Sequence, residues 1–177
     1  MISPDLKKLA LPFARTSNII WFAFVFAPVI YAFLAWLVTD GGSRQMGEGD
    51  IPEAAIFIAL LLAVLSGIVL PWVIAPRFFG PKRMLDSSST PPVNFDGDAG
   101  RIFERLGERD RERARHLGAI QSARIVRWAG AESVAIYGLL ALFVGVTDVY
   151  GAWGFGLAAI ILLFLLRPDY ESDLEAL

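Results

Sequence analysis

The apolar positions of this chain gather into four long blocks, at residues 18–38, 54–74, 125–146 and 152–166. A helix that crosses a bilayer needs about 20 predominantly apolar residues, so each block is expected to form a membrane span, the fourth at the short end of the range. Polar punctuation separates them. Residues 39–50 (TDGGSRQMGEGD) form a Gly-rich polar loop, Pro52 and Glu53 open the second block, Pro71 and Pro76 bracket its end, residues 147–151 make a short turn, and Arg167 and Pro168 close the fourth block. Ser17 or Asn18 is placed to cap the first span. Pro28 predicts a kink within it. The run from Ile19 to Val38 exceeds the roughly 7–15 residues of a signal-peptide core and no small-x-small cleavage site follows it, so it reads as a retained span.

The segments outside the blocks are of three kinds. Residues 1–17 place Lys7, Lys8 and Arg15 among Leu6, Leu9, Leu11 and Phe13, which fits either a short interfacial helix broken at Pro12 or a disordered basic lead-in. Residues 81–100 are rich in Ser, Pro, Gly and Asp and read as a linker. Residues 100–122 carry opposite charges three apart, as in Arg101–Glu104, Arg105–Glu108 and Asp110–Arg113. Each such pair supports a helix by about 0.2–0.5 kcal/mol. Only Ile102, Leu106, Leu117 and Ile120 give that helix an apolar stripe, so it is expected to lie on the membrane or to project into solvent, and it is able to run straight into the third span.

The first and third blocks are similar to each other. Ile19 to Val38 over Ile125 to Val144 matches at Ile19/Ile125, Ala23/Ala129, Ile30/Ile136, Tyr31/Tyr137, Leu34/Leu140, Ala35/Ala141 and Val38/Val144. A weaker match pairs Ala55/Ala152, Leu60/Leu157, Leu65/Leu162 and Pro71/Pro168. The expected fold is therefore all-α, with four transmembrane helices arranged as two tandem hairpins in parallel repeat. The first hairpin takes residues 18–76 and the second 123–167. A cytoplasmic linker and charged helix (77–122) lie between them, a cytoplasmic segment (1–17) precedes them, and an acidic tail (168–177) follows.

Composition agrees with a membrane protein: 55% of the residues are hydrophobic and the mean hydropathy is +0.54. The net charge of −2 says little, but its distribution sets an orientation. Of the 16 Lys and Arg, three precede the first span, eleven fall from Arg77 to Arg127, between the second span and the start of the third, and one follows the fourth; only Arg44 falls on the other side. The positive-inside rule then places both termini in the cytoplasm, in an inner (cell) membrane protein. Trp21, Trp72 and Trp128 fall at the inner ends of the spans and Trp36, Tyr150 and Trp153 at the outer ends, as aromatic belts do. Without cysteine there are no disulfides, thiolate metal sites or thiol nucleophiles. One histidine, His116, builds no multi-His centre, and no nucleotide, metalloprotease or hydrolase motif is present. No catalytic residue, metal or cofactor is expected. Acidic residues nearly balance the basic ones in the charged helix, which argues against nucleic acid.

One residue stands apart. Glu132 is a carboxylate inside the third apolar block, where the first block has Phe26. It lies five residues past Arg127, or roughly 7 Å deeper, where ionisation without a partner is unfavourable. Two readings follow. Glu132 is an ion-binding site, or it is an interfacial carboxylate paired with Arg124 or Arg127, since helical side chains lean toward the N-terminus. Tyr31 and Tyr137 are mid-span hydroxyls in equivalent places, and a buried Tyr usually finds a partner. Arg101, Arg105, Arg109 and Arg113 are candidates for contact with lipid headgroups, at about 1 kcal/mol per basic residue near an anionic surface, or with a protein partner. Small residues four apart, such as Ala129 and Ser133, or Gly154 and Ala158, allow close helix approach.

The stretch Ala131-Glu132-Ser133-Val134-Ala135-Ile136-Tyr137-Gly138-Leu139-Leu140 resembles the carboxylate helix of the proteolipid (c-type) subunits of rotary ATPases, which carry a Glu followed by an AIYGL-like run. Eukaryotic vacuolar members of that family are duplicated hairpins in which one copy has lost the carboxylate, as with Phe26 here. The resemblance covers about twenty residues and implies Glu132 as a proton or cation carrier, Tyr137 as its neighbour, and assembly with copies of itself or with a larger membrane complex. The family's Gly-studded first helix is missing and the cytoplasmic insert is foreign to it. The whole looks like a small four-span bacterial membrane protein with a proteolipid-like helix. The alternative is a non-catalytic interaction or assembly factor whose charged helix recruits a partner and whose Glu132 is structural.

Overall fold

The computed structural model describes residues 2–41, 53–78, 95–169 and 172, and every element among them is helical. The helices are α1 (Pro4–Val38), α2 (Glu53–Val64), a π-helical segment (Leu65–Ile74), α3 (Ala75–Phe78), α4 (Gly97–Arg105), α5 (Glu108–Arg115), α6 (Leu117–Phe143) and α7 (Val149–Leu165). Among the described residues three helices are long and apolar enough to cross a membrane: Pro4–Val38, Phe57–Ile74 and Leu117–Phe143. The fourth apolar block forms a shorter helix, α7. The polar loop at 39–50 and the linker at 81–94 lie outside the described residues. The chain divides into two compact units, one of Met1–Ile20, Ala75–Val126 and Pro168–Leu177, the other of Trp21–Ile74 and Arg127–Arg167.

The first unit has its own apolar core. Ile2, Leu6, Leu9 and Ala10 bury against Leu106, Ala114, Leu117 and Ile120, with Phe13, Phe95, Ile102 and Phe103 around them. This core corrects the reading of the N-terminus. Residues 4–17 are neither a separate helix broken at Pro12 nor a disordered lead-in, because α1 is continuous through Pro12. Pro12 removes one hydrogen bond from the helix, but the residues on either side of it, Leu9, Ala10, Phe13 and Ala14, pack into the core and hold the turn. Ser17 is accordingly a buried interior residue rather than a cap.

The charged stretch also differs from the single helix expected. It breaks into α4 and α5 at Leu106 and Gly107, both extended, since the core takes in the Leu106 side chain. Arg111 bridges the break: its guanidinium donates to the carbonyls of Glu104 (2.9 Å) and Leu106 (3.2 Å), which the end of α4 leaves open. The same group and that of Arg115 lie 5.8 and 5.9 Å from the centre of the Phe103 ring, within cation–π range. A second interruption follows at His116, which closes α5, so the charged helix does not run straight into the third span as expected; α6 starts afresh at Leu117.

In the second unit the contacts fix helix directions. Phe24 meets Trp128, Tyr31 meets Glu132 and Ala35 packs with Leu142, so α1 and α6 run parallel. Trp21 meets Leu163 while Trp153 meets Ala32, so α7 is antiparallel to α1. Gly67 faces Val134 and Gly130 faces Leu70, so the π segment is antiparallel to α6. The apolar window of α6 is 44% buried against 17% for those of α1 and the second helix, which makes α6 the central element. Large apolar side chains such as Phe22, Phe26, Phe33, Phe57 and Ile161 stay exposed, far more than a water-facing surface carries and as a lipid-facing one does. The turn between α6 and α7 closes with a 6→1 bond from Val146 N–H to Ala141 (2.7 Å) and Gly145 at φ 76°, a left-handed position that favours glycine. Asp148 then caps α7, accepting from Gly151 N–H at 2.8 Å.

Candidate functional site

Glu132 sits on α6 four turns after its start, half-buried, on the face turned to α1. Its Oε1 accepts a hydrogen bond from the Tyr31 hydroxyl at 2.8 Å. The bond is possible because α1 and α6 run parallel and in register here, which brings a mid-helix phenol of one to the carboxyl of the other. A hydroxyl donor to a carboxylate oxygen is short and charge-assisted when the carboxyl is ionised. Both members of the pair are half-buried, and Tyr31, like Tyr137, packs on the cluster of Ala63, Val134, Ala135 and Ala159. In hydrocarbon a buried Tyr hydroxyl finds a partner, and Tyr31 has taken Glu132.

One expected partner of the carboxyl, Arg127, is turned away from it. Five residues of α-helix turn Arg127 about 140° away from Glu132, and no ion pair joins them among the described residues; the Arg127 Nε there has no hydrogen-bond partner. Arg124 is a buried residue of the other unit. Tyr137 shares the apolar cluster but lies five residues along α6, by the same geometry on another face. The residue missed as Glu132's partner was Tyr31. Its alignment with Tyr137 and its mid-span hydroxyl were the available signal.

The four arginines proposed for headgroup or partner contact divide. Arg101, Arg105 and Arg109 are exposed, Arg101 in a loose pair with Asp98 at 3.7 Å. Arg113 is buried and held by Asp110 at 3.5 Å, so it is part of the first unit's interior and not of an outward surface.

Around the carboxyl the helices approach through small residues. Ser133 donates to the Gly130 carbonyl at 2.7 Å and so satisfies itself within α6. Gly156 faces the Pro28 carbonyl of α1. An apolar groove of about 520 Å³ runs between the second helix and α7, lined by residues such as Leu60, Ile68, Gly154, Ala158 and Ile161. It offers no polar group for chemistry. Among the described residues no cluster of three or more His, Cys, Asp or Glu side chains is placed to hold a metal ion. The chemistry within reach is thus that of one carboxyl and one phenol: taking up and releasing a proton, or sharing a monovalent cation with a few oxygen ligands. No family model matches this chain, and no curated protein or solved structure matches it.

Proposed function

We propose that this chain is a four-span, complex-forming subunit of a bacterial inner membrane in which Glu132, assisted by Tyr31, binds a proton or a monovalent cation. The observation that carries this reading is the hydrogen bond from Tyr31 to Glu132 inside an apolar bundle. An intramembrane carboxyl is unfavourable to keep unless it is used or satisfied, and here it is held by one switchable donor rather than by a fixed counter-charge. The proteolipid-like run around Glu132 points the same way. Two features support the tandem-hairpin arrangement. Five of the seven matched pairs share their exposure, with Ala35 and Ala141 buried and Ile30, Ile136, Leu34 and Leu140 exposed, while Ile19/Ile125 and Val38/Val144 differ. Both helices also end in the same 6→1 closure, Gly41 N–H to Trp36 and Val146 N–H to Ala141.

The test is covalent. A hydrophobic carbodiimide modifies a protonated carboxyl in an apolar site, so mass spectrometry should find Glu132 labelled. Glu132→Gln should abolish the adduct, and sodium should protect against it if the ligand is a cation. Absence of labelling at Glu132 at every pH between 5 and 8 overturns the reading.

A second reading, an assembly factor with a structural Glu132, is favoured by the separate apolar core of the first unit, which presents Arg101, Arg105 and Arg109 outward. In that case Glu132→Gln leaves activity in cells intact, and loss of the three exposed arginines removes it.

A further inference from the structure

Pro28 and Pro71 form a comparison within one chain. Both lie inside apolar helices and both are fully buried. Around Pro28 the helix remains α. Around Pro71 it becomes π over ten residues, Leu65–Ile74, where π structure is ordinarily confined to a single turn. A proline by itself is therefore not the cause.

The difference lies in what the opposite helix permits. At Pro28 the neighbour is Gly156, and a methyl group there would sit 3.7 Å from the Pro28 carbonyl, an ordinary contact. At Pro71 the neighbour is Gly130 of α6. A methyl on Gly130 would meet the Ser66 carbonyl at 2.8 Å, Leu70 at 2.6 Å and the Pro71 ring at 3.3 Å. Gly67 is pressed as closely, since a methyl there would run into the Val134 side chain. Only glycine at 130 allows the Ser66 backbone this position.

The identity of Ser66 matters because proline has no N–H. In an i→i+4 ladder Pro71 deprives the Gly67 carbonyl of its donor and its ring crowds that carbonyl. In an i→i+5 ladder it deprives the Ser66 carbonyl instead. That is the carbonyl brought against the Gly130 backbone, where a Cα–H can partner it. The Ser66 hydroxyl meanwhile turns back to the carbonyls of Leu62 (2.7 Å) and Ala63 (3.3 Å), in the turn before the change of register.

We infer that Leu65–Ile74 is an intramembrane hinge whose π and α registers are alternative states of one segment, with Gly130 as the latch that holds the π state. Passing from π to α removes one residue per turn, lengthens the segment and rotates the chain beyond Ile74. Glu132 stands two residues from the latch on the same helix, about 200° around it, so α6 is gripped on opposite faces by Tyr31 and by the hinge. The hinge does not depend on Glu132 carrying an ion.

The chain has no cysteine, so spin labels can be placed at will in the full-length protein in lipid nanodiscs. Labels at the exposed positions Leu61 and Ile74 bracket the hinge, and labels at Val29 and Leu37 report on α1 as a control. The native chain should show the short π distance, alone or with a minor longer one. Gly130→Ala, which places a methyl against the Ser66 carbonyl, should lengthen the Leu61–Ile74 distance by on the order of a few Å. Pro71→Ala, which restores the N–H, should do the same, and neither should move the control pair. If Gly130→Ala disturbs the control pair, Pro71→Ala decides alone. A Leu61–Ile74 distance that Pro71→Ala leaves unchanged overturns the inference, as does a native chain showing only the long distance.

Discussion

Trp21 donates its indole N–H to the carbonyl of Leu163 at 2.9 Å. That carbonyl is open because Arg167 N–H, its normal donor in a continued helix, bonds to Phe164 instead. Trp128 does the same for the carbonyl of Leu166, also at 2.9 Å. The last turn of a helix leaves its carbonyls unpaired, and in hydrocarbon water does not repair the loss. Two indoles from two parallel helices, α1 and α6, therefore close the end of α7. The aromatic belt read from the sequence has at this end a definite hydrogen-bonding task.

Removing either N–H should weaken the bundle. Trp21→Phe and Trp128→Phe are each expected to lower stability by about 1 kcal/mol, the scale of an interhelical hydrogen bond in a membrane protein. Trp153→Phe should do less, because its acceptor, the Ala32 carbonyl, lies within the continuous helix α1 and has a helical donor of its own. Thermal unfolding in mild detergent checks the order; equal losses at all three positions contradict it.

Tyr31 and Glu132 should behave as a coupled pair. In a double-mutant cycle of Tyr31→Phe and Glu132→Leu, which removes the acceptor that a Gln would keep, the coupling is expected near about 1 kcal/mol. Tyr137→Phe should show none with Glu132. The infrared band of the Glu132 carboxyl gives an independent reading: Tyr31→Phe removes a donor and should shift it, whereas Tyr137→Phe should leave it in place. A shift with Tyr137→Phe alone would reverse the assignment of partner.

This pair also shows how far a single sequence carries. The apolar blocks, a short turn between the third and fourth of them and the singularity of Glu132 are local features, and periodicity and composition expose them directly, although the turn falls at 144–148 rather than 147–151. Which side chain meets Glu132 depends on the rotation and register of α1 against α6, and nothing local encodes that. The resemblance implies Tyr137 as the neighbour of Glu132, yet five residues of helix point it elsewhere, while Tyr31 arrives from a helix about a hundred residues earlier. The N-terminus departs from its local signals for a related reason. Pro12 argues for a break locally, and the packing of Leu6, Leu9 and Phe13 against α4–α6 outweighs it. The π segment was hidden because its cause is shared between Pro71 on one helix and Gly130 on another.

The break between α4 and α5 rests on Arg111. Arg111→Ala should free the carbonyls of Glu104 and Leu106 and speed amide hydrogen exchange across residues 97–106, leaving α6 protected. Arg111→Lys should rescue this poorly, since an ammonium lacks the planar fork that reaches two carbonyls while lying over Phe103. Equal protection in the alanine variant and the native chain would show that the core alone holds α4.

Orientation can be read with single cysteines, since the chain has none of its own. Tyr150 is 69% exposed at the start of α7, at the end that the positive-inside rule assigns to the outside. Ser122 is exposed near the start of α6, beside the run that holds eleven of the sixteen basic residues. A membrane-impermeant maleimide added to intact cells should label Tyr150→Cys and not Ser122→Cys, and permeabilised cells should label both. Neither change alters a Lys or Arg, so neither biases the topology it measures. Because α1 and α6 run parallel, one result orients both. Labelling of Ser122→Cys in intact cells would turn the protein over and move Arg101, Arg105 and Arg109 to the outer side, away from the anionic cytoplasmic leaflet.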